Sequence, residues 1–398
     1  MVAAIVIAEA AVLLLRPKER YPVVEADPRA YFSAAELDRA VQFRNGQLWL
    51  YGGRTAVELG LLILAVHYAP RAGRRPVLTG AAAAAAITLA TTVAALPLRV
   101  ASRQRAKDVG LVTQSWGGWA ADTAKSTAIG GVFAAGGGAL LVVGMRRFGR
   151  DWWAPGAAAV AGFAVLFSYL GPVLLDPVFN TFTPLPAGET RDDVLELARK
   201  AGVEVGEVYE VDASRRTTAA NAYVTGLGHT KRVVLYDTLL KDFTPAETRL
   251  VVAHELGHVK FKDVPGGLLW LALVAPFGML VVARATERVA RPGTTAVPAA
   301  VLSLALVAPA LTLISNQLSR AVERRADAFA LELTGEPDAM VGFERRITVQ
   351  NVGDPDPAAW QQLLLGTHPT TMERIGQALA TAPAARGSGS PAPSPEGP

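Results

Sequence analysis

Residues 244–263 read TPAETRLVVAHELGHVKFKD, and two of the chain's five histidines, His254 and His258, fall here four residues apart. On a helix, positions i and i+4 lie one above the other on one face, the spacing two imidazoles need to reach a single metal ion. Glu255 directly follows the first of them. In an H-E-x-x-H arrangement on zinc it is the general base that takes a proton from water, so the chemistry indicated is metal-assisted hydrolysis. The chain has no cysteine, so the metal must be held by histidines and carboxylates. His67 and His229 have no partner at metal spacing and read as structural or solvated side chains.

The helix that must present this pair announces itself upstream. Thr244 can cap, Pro245 suits the first helical position, and Glu247 sits three residues after the cap, which together make a capping box ahead of Leu250, Val251 and Val252. A catalytic zinc site takes three protein ligands and keeps one open position, so a third donor is required. Residues 316–334, NQLSRAVERRADAFALELT, read as a helix stopped by Gly335. Glu323 is the candidate third ligand. Asp327, four residues on and on the same face, can accept the free N–H of a ligating imidazole. Spacing alone equally allows an exposed helix in which both acids pair with Arg320, Arg324 and Arg325.

Around these elements the chain is apolar: 51% of its 398 residues are hydrophobic, concentrated in long runs that point to a membrane. Val2–Leu15 reads as a first span, although Glu9 interrupts it. Further spans are expected at about 55–69, 77–98, 127–145 and 152–175, then at 266–283 and 294–315, making about seven. Residues 31–50 can form an amphipathic helix on the membrane surface or against neighbouring spans, and the short span at 55–69 is expected to extend into its flanks. The expected division is 1–175 for the first five spans, 176–264 for a polar part with the H-E-x-x-H helix, 265–315 for the last two spans, 316–381 for a second polar part, and 382–398 for a disordered tail. Two spans separate His258 from Asn316, an even number, so both polar parts emerge on one side of the bilayer and a third ligand can come from the second.

The basic residues number 39 against 35 acids, and 31 of them are arginine. They are scattered over loops as topology signals and lipid contacts, with no tract suited to nucleic acid. Loops on the metal side of the first four spans hold more of them, but the opposite loops at 71–75, 146–150 and 284–291 are denser. Glu9 and Glu58 within apolar runs are assigned no role.

His254-Glu255-Leu256-Gly257-His258 with SRAVERRAD at 319–327 resembles the paired signature of the type I CAAX prenyl proteases, which are integral-membrane zinc endopeptidases, and more loosely that of the HtpX-like membrane proteases. LLDPVFNTFTPLP at 174–186, NAYVTGLGHTKRVVLYDTLL at 221–240 and HPTTMERI at 368–375 favour the narrower family, and the likeness spans about residues 1–380. It implies a membrane α-helical fold, about seven transmembrane helices with a zincin-like (gluzincin) α+β metalloprotease domain split by the last two spans. It further implies Zn2+ on His254, His258 and Glu323, Glu255 as base and Asp327 as support. Asn221, Ala222, Tyr223 and Val224 match the edge segment along which an extended substrate lies. His368 and Arg374 match a pair near the metal that stabilises the transition state or holds a substrate carboxylate.

The expectation is therefore a membrane zinc metalloendopeptidase acting on a peptide or membrane-protein substrate in the lipid bilayer, with no nucleic-acid partner. The Ala/Arg/Gly/Pro bias points to a GC-rich bacterial genome, where prenylated substrates are not expected, and the resemblance implies a metal site towards the cytoplasm. A quality-control protease of the HtpX-like kind shares the same motifs. A seven-span transporter or receptor with a structural metal site is the alternative of another class.

Overall fold

The computed structural model describes residues 1–226 and 231–382. His229 and the expected tail at 383–398 therefore lie outside the described residues. Five helices come first: α1 (Val2–Leu15), α2 (Ala34–His67), α3 (Pro76–Asp108), α4 (Trp116–Phe148) and α5 (Trp153–Leu174). A polar region follows with α6 (Asp176–Phe179), β1 (Phe182–Pro184), α7 (Glu189–Ala201), β2 (Glu207–Val211), β3 (Ala222–Thr225), β4 (Arg232–Tyr236), α8 (Asp237–Asp242) and α9 (Pro245–Lys260). Two long helices, α10 (Asp263–Val289) and α11 (Val297–Thr334), lead to α12 (Pro337–Gln350), α13 (Ala359–Leu365) and α14 (Thr371–Thr381).

Among the described residues six helices are long and apolar enough to cross a membrane: α2, α3, α4, α5, α10 and α11. The expected first span is a helix of 14 residues. At 1.5 Å per residue it measures about 21 Å, short of the roughly 30 Å hydrocarbon layer. It lies along α10 and α11 instead, burying Ala8, Ala11 and Val12 against Trp270, Val274 and Ile314. Its Glu9 accepts a hydrogen bond from Gln317 Nε2 at 3.1 Å, whereas Glu58 is exposed and pairs with Arg54 one turn away.

One expected extension is longer than read, and one expected boundary does not exist. Residues 31–50 and the span at 55–69 belong to one helix, α2, opened by a Ser33–Glu36 capping box and continuous to His67. The expected helix at 316–334 is likewise the last half of α11, which runs 38 residues without a break. In both cases hydropathy changes along the chain while the backbone ladder has nothing to stop it.

The four strands form one sheet in the order β1-β2-β4-β3. β2 and β4 are parallel, and β1 and β3 pair antiparallel on either side, so β3 is an edge. Val208, Val233 and Leu235 of the sheet pack with Val194 and Leu197 of α7, Leu250, Val252 and Leu256 of α9, and Phe329, Met340 and Phe343 from beyond the last spans. One hydrophobic core thus joins the two polar parts of the chain. Arg216, paired with Asp122 of α4 at 2.9 Å, and a bridge between Val112 and Thr217 tie the sheet region to the first set of helices.

Candidate metal centre

The capping box forms as its residues require: Thr244 Oγ1 accepts from Glu247 N at 3.3 Å, and Glu247 Oε2 accepts from Thr244 N at 2.8 Å. From there α9 buries Leu250, Val252, Ala253 and Leu256 against the sheet, which turns His254 and His258 towards α11. Gly257, between them, permits the close approach. A Cβ there would stand 3.0 Å from Phe329 Cδ1 and 3.4 Å from Ala326 Cα.

The approach brings three donors together. His254 Nε2 lies 3.0 Å from His258 Nε2, and Glu323 of α11 closes the third side with carboxylate oxygens 3.3 Å and 3.6 Å from them. The ligand atoms of all three lie within 4.8 Å of one another. Behind the rings stand two more carboxylates. His254 Nδ1 is 2.8 Å from Asp327 Oδ1, and His258 Nδ1 is 2.9 Å from Asp263 Oδ2. Carboxylates at both Nδ1 atoms hold the N–H on that side, leaving the Nε2 lone pairs facing each other and Glu323. Such an arrangement repels itself unless a cation sits at the convergence. Tetrahedral zinc with Zn–N bonds of about 2.0–2.1 Å would set two nitrogens about 3.3 Å apart, close to the observed separation. Burial disfavours an imidazolium at His254, yet Asp327 and Glu323 outweigh it and lift its pKa to about 10, so the local field draws positive charge to this point. The donor set fits a divalent metal.

Glu255 is half-buried beside the cluster. Burial raises its pKa, partly offset by His254 and His258. Asp327 is fully buried and is gripped by Arg374, with Nε to Oδ2 at 2.9 Å and Nη2 to Oδ1 at 2.6 Å. The remaining edge of the guanidinium faces Glu344 of α12, Nη1 to Oε1 at 2.7 Å. Arg374 therefore reaches the metal site through Asp327 and not directly. His368 comes to within 3.6 Å of Glu323 through Nε2 while staying largely exposed. Its backbone carbonyl accepts from Gln362 Nε2 at 2.7 Å, and Arg320 Nη1 donates to Gly366 O at 2.6 Å, so α11 fixes the loop that carries it.

Ala222, Tyr223 and Val224 form β3, with Asn221 just ahead. Tyr236 N donates to Asn221 O, and antiparallel alternation then turns the N–H and C=O of Tyr223 towards β4 and those of Ala222 and Val224 to the open edge. Asn221 Oδ1 takes up the Ala222 N–H at 2.9 Å. This edge packs beside α9.

Sequence reasoning assigned nothing to Asp263 or Glu344. Asp263 carries a weak signal, a carboxylate five residues past the second histidine. Glu344 carries none, because its partner lies thirty residues further along a different helix. His67 sits at the end of α2, its carbonyl taken by Arg291.

Residues 184–382 match the model of peptidase family M48, and residues 48–181 match that described as CAAX prenyl protease N-terminal, five membrane helices. A Bacillus subtilis (strain 168) protein called uncharacterized metalloprotease YhfN is 33% identical over 306 residues, 73% of this chain and 71% of that protein. The CAAX prenyl protease 1 homolog of Arabidopsis thaliana is 34% identical over 218 residues, 51% of this chain and 50% of that protein. Among solved structures, S. mikatae Ste24p shares the fold at a TM-score of 0.76 and 19% identity, covering 94% of this chain and 98% of that one.

Proposed function

The chain belongs to peptidase family M48 and is a membrane metalloprotease, and from that premise we propose a zinc-dependent endopeptidase that cuts peptide bonds next to the bilayer surface. The observation that carries the reading is the pair of facing Nε2 atoms 3.0 Å apart, each ring with its Nδ1 beside a carboxylate, and Glu323 on the third side.

In this reading His254, His258 and Glu323 hold the ion. When bound, zinc supplies Lewis acidity, polarising a peptide carbonyl and making a neighbouring water more acidic. Glu255 accepts a proton from the attacking water on its carboxylate and passes it to the nitrogen of the leaving amine. Its raised pKa makes it a better proton acceptor than an ordinary glutamate. Asp327 and Asp263 keep the two imidazoles in the tautomer that ligates, and Arg374 supports Asp327. His368 donates an N–H towards the oxygen that gains charge in the transition state. The open edge of β3, through Ala222 and Val224, pairs with an extended peptide and presents its carbonyl to the centre.

The substrate class is a peptide or membrane protein with a cleavable stretch near the bilayer. Support for that position comes from Asp263, which both touches His258 and opens the spanning helix α10. We assign catalysis to residues 176–264 and 316–381 jointly, with the spans of 265–315 between them. We place the chain in a bacterial cell membrane with the centre towards the cytoplasm; the Bacillus relative and the Ala/Arg/Gly/Pro bias support the bacterial host. The deciding experiment is mass-spectrometric identification of peptides released by the purified enzyme and by a Glu255→Gln control. Cleavage by wild type alone is expected; equal cleavage by both removes Glu255 from the chemistry.

A further inference from the structure

We propose that α13 is a membrane-docking helix that seats its apolar face in the lipid headgroup layer, beside the metal centre. Trp360, Leu363, Leu364 and Leu365 are 56%, 57%, 42% and 43% exposed. Among the described residues of 176–264 and 316–382, the other exposed large hydrophobic side chains are Val178 and Val264, each next to a spanning helix. Four of the six thus fall on one helix of seven residues, and no charged residue occurs from 357 to 367.

The height of α13 identifies what covers it. Arg320 Nη1 holds the carbonyls of Gln362 and Gly366 at 3.3 Å and 2.6 Å, clamping the middle and the C-terminal end of α13 to α11. Arg320 is five residues past Ser315, where the apolar run of α11 ends, which is about 7.5 Å along the helix. The headgroup layer on each side of a bilayer is about 5–7 Å thick. On the neighbouring α10, Asp263 pairs with Arg325, and the next residue, Val264, is already exposed and apolar. The clamp thus sets α13 at the outer edge of the headgroup layer that surrounds the spanning helices. A tryptophan followed by three leucines suits this depth, where an indole meets headgroups and aliphatic chains meet lipid tails. An uncharged apolar patch held at the level of the headgroups has the bilayer itself as its occupant.

The placement bears on the centre. His368 is three residues beyond Leu365 and its carbonyl is held by Gln362 of α13. A seated α13 sets the height of the His368 loop relative to the membrane.

Because the natural chain has no cysteine, the inference is testable by single-cysteine spin labelling. Leu364→Cys carries a nitroxide in nanodiscs of phosphatidylethanolamine and phosphatidylglycerol, with Leu363→Cys as an independent second site. Leu306→Cys on α11 is the lipid-side reference and Arg199→Cys on α7 the aqueous one. Power saturation with oxygen and with a nickel chelate is expected to group 363 and 364 with 306: accessible to oxygen and several-fold less accessible to nickel than 199. Nickel accessibility equal to that at 199 overturns the proposal. So does shielding from both reagents, which would mean that protein, a second copy or a bound partner, covers the patch. The reading depends only on membrane embedding, so a failure here leaves the peptidase assignment standing.

Discussion

A histidine is a useful ligand only when its two ring nitrogens are sorted, one for the metal and one for a carboxylate, and this chain does the sorting twice with acids from different helices. Asp327 serves His254 from α11, and Asp263 serves His258 from the start of α10. Glu323 is the donor whose removal discriminates best, since it lies apart from the H-E-x-x-H stretch. Glu323→Ala is expected to lose zinc on dialysis, whereas His67→Ala retains it; full zinc in the first variant by elemental analysis means that the third ligand lies elsewhere. Further from the ion, Asp327 and Glu344 share one guanidinium in a buried space. Burial raises Glu344, against the pull of Arg374 and with help from Asp327, to about 7 from an unfolded value near 4.5. The folded state then binds this proton more tightly than the unfolded state. Its contribution to stability is fully present below about pH 4.5 and is lost as pH rises through about 7. Glu344→Gln should flatten the dependence of Tm on pH between those values; an unchanged slope assigns it to other groups. At this scale helical spacing paired His254 with His258 and put Glu323 and Asp327 on one face, and the resemblance joined the two pairs. Asp263 and Glu344 stayed hidden because their roles depend on elements brought together only by the fold.

Among the elements, β3 is the one to which the proposed mechanism gives the substrate, and it has four residues on the edge of a small sheet. Its alternation leaves the Val224 N–H pointing away from β4, so a proline there deletes an edge donor while sparing the ladder. Val224→Pro is expected to lower turnover at least several-fold with zinc still bound, and a variant with wild-type turnover would remove the strand from the mechanism. The strands β2 and β4 were legible as short β-branched runs, and α9 as a capping box followed by its apolar face. What misled was α2 and α11. A change from apolar to polar residues reads as a boundary, but a helix ends where its backbone hydrogen bonds are interrupted, and neither Leu50 nor Ser315 is followed by a residue that interrupts them. The continuity of α11 has a use: one helix carries both the apolar length and Glu323, so the carboxylate beside the two histidines is positioned by the membrane part itself.

For the whole molecule, the count of spans between the two polar parts was enough to place them on one side, and the shared core and metal cluster agree with that parity. Which side it is depends on arguments that oppose each other. The reading proposed above puts the centre in the cytoplasm. The loops at the far end carry Arg71, Arg74, Arg75, Arg146, Arg147, Arg150, Arg284, Arg288 and Arg291 against Asp151 and Glu287, and the positive-inside rule would draw that end to the cytoplasm instead. Several of these arginines have structural employment: Arg291 holds the His67 carbonyl, and Arg150 and Arg284 pair with Glu287. Arginines that build the loop contacts are there for the fold and need not record the direction of insertion. We therefore expect a membrane-impermeant maleimide, applied to intact cells, to label Arg74→Cys and to leave Arg199→Cys unmodified until the membrane is permeabilised. The cysteine-free background makes either signal unambiguous. The reverse pattern would put the centre outside the cell, and the substrates to search for would then be exported or envelope proteins.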